Sequence, residues 1–133
     1  MIFGVGHDIC LIPRLSASVK EFGRDFTNQF CRPNELAWAE RAANPVIAYA
    51  GIFSAKEAIA KALGTGIGDS LFWDDIEIGQ VFASKPSIFI SEASLAAQFG
   101  QTHDMLRLHL SVSARPPLVF AYALAEIAKP TAS

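Results

Sequence analysis

The sequence predicts an α+β domain in which an antiparallel sheet packs against one long helix. Three observations carry that expectation. Leu106, Leu108, Leu110 and Val112 alternate with Arg107, His109, Ser111 and Ser113, a period of two that puts the polar set on one face of a strand. Across the link Ala114-Arg115-Pro116-Pro117, the run Val119 to Glu126 is almost continuously apolar, as in a central strand, so the two segments form a hairpin. Upstream, the stretch from about Val46 to Leu63 is built from strong helix formers and stops at Gly64, a residue suited to a left-handed helix terminus.

The other elements follow in chain order. Ile2 to Gly6 reads as a short buried strand. Leu15, Val19, Phe22 and Phe26 then recur at helical spacing and predict one amphipathic helix behind it. Pro33-Asn34 opens a second helix reaching about Ala43, with Asn34 as N-cap, and Asn44-Pro45 interrupts before the long third helix. Asp75 to Val81 and Pro86 to Ile90 read as strands joined by a turn. A helix from about Glu92 to Phe99 follows, and Gly100 ends it. Thr131 to Ser133 reads as a frayed end. With no internal repeat, low-complexity tract or long linker, residues 1–133 form a single domain.

Composition narrows the function. A chain of 133 residues buries roughly two thirds of its unfolded surface, so it needs no partner merely to fold. Hydrophobic residues make up 51% against 18% charged, an apolar balance that favours covering some surface with other subunits. The formal charge of -2 gives no basic field for phosphate neutralisation, which argues against nucleic acid as a partner. Cys10 and Cys31 lack C-x-x-C spacing and fit a reducing cytoplasm. Neither a signal peptide nor a membrane-spanning run is visible, so a cytoplasmic, membrane-free protein is expected.

The chemistry gathers around the end of the long helix. Glu57 and Lys61 stand one turn apart on one face, and Gly64-Thr65-Gly66 follow at once. This layout suits a phosphate: the glycines would leave backbone N–H groups free to approach an anion. Asp8, at the end of the first strand, offers a second carboxylate. Two carboxylates and a lysine point to a magnesium-bound phosphate ester. Taken alone, Glu57 with Lys61 is an ordinary surface pair of about 0.2 to 0.5 kcal/mol; the glycine loop beside it shifts the balance toward a site.

Those residues also carry a family resemblance. Gly4-Val5-Gly6-His7-Asp8, the core from Phe53 through Lys56-Glu57-Ala58, Lys61 and Gly64-Thr65-Gly66-Ile67, the strand Asp75 to Ile78, Lys85-Pro86, and His109 to Ser113 together resemble the holo-acyl-carrier-protein synthase type of 4'-phosphopantetheinyl transferase. Their order and spacing match over nearly the whole chain. The resemblance implies that family's fold and a Mg2+-dependent transfer of the 4'-phosphopantetheine arm of coenzyme A to a serine of an apo acyl carrier protein, releasing adenosine 3',5'-bisphosphate, in the service of fatty acid biosynthesis. It makes Asp8 and Glu57 the metal ligands, with Lys61 completing the catalytic set and holding the diphosphate. Gly64, Thr65, Gly66, Lys85, Pro86, Ser111 and Ser113 would contact coenzyme A. Arg14, Lys20 and Arg24 are the candidates for docking an acidic carrier helix, of which only Arg14 matches a family docking position well. A homotrimer with sites at subunit junctions is implied too.

Three departures qualify the match. Asp8-Ile9-Cys10-Leu11-Ile12 stands for the usual Asp-Ile-Val-Glu-Ile, Ile52-Phe53 for Arg-Phe, and Ala114 for a common histidine. None touches Asp8, Glu57 or Lys61. The changes at Ile52 and Ala114 motivate one alternative, a catalytically silent paralogue that binds coenzyme A or the carrier. His109 reads equally well as a site residue or a structural one.

Overall fold

The long helix organises the chain. In a computed structural model describing residues 1–68, 70–100 and 105–128, helix α4 (Pro45–Leu63) lies against a three-stranded antiparallel sheet of order β1-β5-β4, formed by β1 (Ile2–Leu11), β4 (Leu106–Arg115) and β5 (Leu118–Ile127). The predicted hairpin is present, in register from Leu106 opposite Ile127 to Arg115 opposite Leu118, with β5 central. Asn44 caps α4 by accepting from the Ile47 N–H at 3.2 Å, and Gly64 closes it with φ +78°. Helix α4 is apolar nearly all round, because β1 and β5 cover one side and the other helices the rest.

The contact between α4 and the sheet is unusually close. A β-carbon at Gly4 would run into the Ala62 carbonyl oxygen, and one at Gly6 into that of Ala58. Backbone cannot yield as a side chain does, so only glycine admits the helix at these two points. Ala121, Ala123 and Ala125 of β5 carry the same smooth contact surface, all buried. On the face of the sheet away from α4, Val5, Ile9, Leu11, Phe120 and Tyr122 are exposed.

Four expectations need correction. The first strand does not end at Gly6; it runs to Leu11, pairing without a break from Gly4 opposite Ala125 to Leu11 opposite Leu118. Asp8 is therefore a mid-strand residue rather than one at the strand's end. The predicted first helix is two, α1 (Ile12–Phe22) and α2 (Arg24–Phe30), because Gly23 takes φ +56° between them. The next helix, α3 (Pro33–Glu40), is capped two residues earlier than read and ends at Glu40 rather than about Ala43: Arg32 is the N-cap residue, and Pro33 occupies the first turn, where its missing N–H is harmless. Asn34 therefore lies inside the helix. The strands β2 (Ile76–Gly79) and β3 (Ser87–Ile90) pair only with each other, making a second small sheet after a single 3-10 turn at Trp73–Asp75.

Helix α5 (Glu92–Phe99) matches its predicted bounds, with Ser91 accepting from the Ser94 N–H and Gly100 at φ +58°. The expected fray at Thr131 to Ser133 lies outside the described residues. No helix among the described residues is long and apolar enough to cross a membrane.

Candidate active site

The glycines of β1 bring the first acid to the long helix. Because Gly6 lets the strand ride directly over Ala58, Asp8 comes level with Glu57 and Lys61 on the exposed edge of α4. The Lys61 ammonium donates to the His7 carbonyl at 3.0 Å and lies 3.4 Å from Asp8 Oδ1. The other carboxylate oxygen, Asp8 Oδ2, is buried and has no hydrogen-bond partner. A buried anionic oxygen without a donor is costly to leave unmet. Burial, and then the charge of Asp8, push the Glu57 carboxyl above its ordinary range, with Lys61 pulling the other way.

This is a centre with more negative charge than its one ammonium offsets. A divalent cation between Asp8 and Glu57 would meet the orphaned oxygen and relieve the repulsion. The donor set fits magnesium, which takes one or two carboxylates and leaves its remaining positions to water and phosphate. The Lys61 side chain is half exposed, so its ammonium can also reach an anion arriving from solvent.

The glycine loop behaves differently from the sequence reading. Gly64 N–H donates to Lys61 O, and the N–H groups of Thr65 and Gly66 both turn back to Ala60 O, while Gly68 N–H reaches Leu71 O. These donors close the helix and the loop instead of standing free for an anion, because the last carbonyls of a helix need partners of their own. What the loop leaves open is space. Nothing lies within 4 Å of where a β-carbon would sit at Gly64, Gly66 or Gly68.

The other named residues are spread around this centre, and of them Ser111 and Ser113 share a cavity with Asp8. Lys85 and Pro86, on the β2–β3 turn, line a separate cavity of about 350 Å³ with His109 and Leu110. His109 Nε2 lies 2.7 Å from Glu126 Oε1, whose carboxyl is held below its ordinary range chiefly by that hydrogen bond. Ser111 and Ser113 stand on the face of the sheet away from α4, in a cavity of about 310 Å³ that also touches His7, Asp8 and Tyr122. Arg14 and Lys20 are exposed on α1, and Arg14 lines a cavity of about 450 Å³ with Ile9, Leu15, Phe26 and Phe53. Arg24 is not on that helix: it lies on α2 and makes a two-pronged pair with Glu40 of α3 at 2.9 and 3.0 Å. Ile52, where the family usually has arginine, is fully buried.

Sequence reasoning missed a second ionic centre. Lys56 and Glu35 have fully buried side chains and pair at 2.7 Å. Lys56 Nζ also donates to Trp73 O at 3.0 Å, while Glu35 accepts from Arg32 N–H at 2.8 Å and Ile78 N–H at 2.7 Å. A signal was present, since Lys56 follows Ile52 by four residues and precedes Ile59 by three, which puts a charge in the apolar stripe of α4.

Comparison with known proteins gives a consistent picture. Residues 4–121 match the profile of the 4'-phosphopantetheinyl transferase superfamily. A holo-[acyl-carrier-protein] synthase of Methylobacterium sp. (strain 4-46) is 40% identical over 129 residues, covering 95% of each chain. Among solved structures, a holo-[acyl-carrier-protein] synthase of Neisseria meningitidis superposes with a TM-score of 0.81 at 36% identity, covering 95% of this chain and 99% of that one. One from Helicobacter pylori, in complex with coenzyme A, gives 0.78 at 29% identity over 92% of this chain and 99% of the other.

Proposed function

The chain belongs to the 4'-phosphopantetheinyl transferase superfamily, and from that premise we propose that it is a holo-acyl-carrier-protein synthase: it moves the 4'-phosphopantetheine arm of coenzyme A onto a serine of an apo acyl carrier protein. The observation that carries the reading is the unpartnered, buried Asp8 Oδ2 beside Glu57 and Lys61. In the reaction the serine oxygen gives up its proton to water and bonds to the β-phosphorus of coenzyme A, and the bond from that phosphorus to the bridging oxygen breaks with its electron pair leaving on that oxygen. Adenosine 3',5'-bisphosphate departs. Asp8 and Glu57 would hold Mg2+, which when bound neutralises charge on the non-bridging phosphate oxygens. Lys61 Nζ would donate to the diphosphate and steady the charge growing on the leaving group.

The nucleotide would lie along the open space at Gly64, Thr65 and Gly66, with Lys85, Pro86, Ser111 and Ser113 completing its pocket. Lys85 and Pro86 line one cavity, and Ser111 and Ser113 line another that reaches Asp8. A homotrimer, sealing the exposed apolar sheet face, would let one subunit supply what another lacks. Arg14 and Lys20, exposed on α1, would receive the acidic carrier, whereas Arg24 is already engaged by Glu40. The setting is the cytoplasm, and the product serves fatty acid biosynthesis.

The test is direct. Incubated with apo carrier, coenzyme A and Mg2+, the protein should raise the carrier's mass by one phosphopantetheine arm. Tight coenzyme A binding with no gain in mass would mark a silent binding paralogue. A monomeric mass by light scattering at micromolar concentration would contradict the site shared between subunits.

A further inference from the structure

Helix α4 carries two charged residues in succession that face opposite fates. Glu57 looks to the site, and Lys56 points into the core, where a lysine is rarely found. The pair it makes with Glu35 is a poor device for stability alone, since apolar residues of similar volume commonly do as well or better. Its distinguishing property is direction. The hydrogen bonds of Lys56 and Glu35 reach the start of α3, the strand β2 and the Trp73 carbonyl, so α4 is tied to three other pieces of chain at fixed angles.

The packing around α4 makes such a tie useful. At its closest approach to the strands the helix sets Ala58 and Ala62 against Gly4 and Gly6, and Ala121 and Ala123 of the central strand are small as well. Small side chains interlock weakly, so dispersion resists rotation of the helix about its axis less than large knobs would. A side-chain head sits about 5 Å from the axis of a helix, so a turn of roughly 20° would carry the Glu57 carboxylate by about 2 Å. Magnesium tolerates little of that, because its ligands stand at about 2.0 to 2.1 Å in a near-ideal octahedron.

We propose that Lys56 and Glu35 are positioning residues for the transfer: their buried ion pair sets the rotation of α4, and so the place of the Glu57 carboxylate, and through the Trp73 carbonyl it anchors the far end of the loop that begins at Gly64. This inference rests on the functional reading above. Neither residue touches substrate. Lys56 acts on the metal side through the helix it shares with Glu57, and on the coenzyme side through the segment between Gly64 and Trp73.

The decisive variant removes both charges, Lys56→Met with Glu35→Gln, so that no unpaired charge stays buried. It should remain folded, with a melting temperature within a few degrees of the native protein. Its kcat should nonetheless fall on the order of tenfold to a hundredfold, with a several-fold higher Mg2+ concentration at half-saturation. Calorimetry in chelator should show coenzyme A bound several-fold more weakly, a readout independent of metal and turnover. Ile90→Ala, a core change in β3, matches any loss of melting temperature and should leave the Mg2+ requirement and coenzyme affinity as they are in the native protein. Glu35→Asp keeps both charges and draws the carboxylate back by one methylene; it should shift the same quantities in the same direction by less, and it serves where the double variant is too unstable to assay.

Native kcat, Mg2+ requirement and coenzyme affinity in the folded double variant, or in Glu35→Asp if that alone folds, would overturn the proposal. So would identical defects in Ile90→Ala at equal melting temperature. A native protein that never loads the carrier would instead overturn the functional reading beneath it.

Discussion

Two ionic centres occupy consecutive residues of one helix, and they differ in how completely their groups are met. Around Lys56 and Glu35 both carboxylate oxygens have donors and the ammonium has two acceptors, all at 3.0 Å or less, and both side chains are fully buried. Around Asp8, Glu57 and Lys61 one oxygen has no partner and the Lys61–Asp8 contact is 3.4 Å, while burial raises a carboxyl in each centre, Glu35 in the first and Glu57 in the second. The same residue types therefore do opposite jobs. A saturated set holds the fold still, and an unsaturated one is left ready for charge that comes from outside.

Breaking the saturated centre should have the larger effect on folding. Lys56→Met alone leaves the Glu35 carboxylate buried without its cation, which typically removes about 3 to 5 kcal/mol of stability. Denaturant unfolding would measure it; a loss below about 1 kcal/mol would mean that the interior accommodates the lone acid and that the contrast is false. Breaking the unsaturated centre should do the reverse. Glu57→Gln is expected to lower carrier loading by on the order of a hundredfold to a thousandfold, comparable to losing a key electrostatic group in other active sites. Its melting temperature without metal should equal or exceed the native value, because the substitution removes a carboxylate that Asp8 repels. Matching losses of activity and melting temperature would turn this centre into a second structural pair.

A third change asks what brings the two halves of the site together. Gly6→Ala sets a methyl group against the Ala58 carbonyl, and the strand must lift from the helix to admit it. Overpacking of this kind typically destabilises by about 1 to 3 kcal/mol. Because Asp8 lies two residues further along the same strand, transfer should suffer beyond what stability explains. A variant as active as the native protein at equal folded fraction would show that Asp8 is held in place by something other than that close approach.

How much of this could be read from the chain depends on whether a signal was local. The C-terminal hairpin, α5 and the end of α4 follow from alternation and glycine placement, which are properties of neighbours in sequence, and the predicted bounds hold to within a residue or two. Glu57 with Lys61 was visible for the same reason. The run of β1 past Gly6 was not, because glycine beside histidine and aspartate looks like a turn, while pairing with a strand more than a hundred residues away overrides it. Gly23 sits inside a helical repeat of apolar residues that continues across it, so the periodicity hides the break its φ of +56° makes. Lys56 was legible only as an oddity in an apolar stripe, since its partner is 21 residues distant and on another helix.

The smallest expected effect is the pH dependence that Glu57 contributes to stability. In the folded chain the Glu57 carboxyl is raised above its ordinary value of 4.5, chiefly by burial, so folding favours the protonated acid. The sign follows from that: the stability this preference contributes is whole below the ordinary carboxyl range and is lost as pH rises through the raised value. Without metal, the melting temperature of the native protein relative to Glu57→Gln should therefore be highest in acid and fall as pH increases. Excess Mg2+ should invert the trend, because a bound cation favours the ionised carboxylate and stabilises only the chain that has one. A difference that ignores both pH and Mg2+ would place Glu57 outside the metal's reach and leave Asp8 as the sole carboxylate there, too few for the chemistry assigned to the pair.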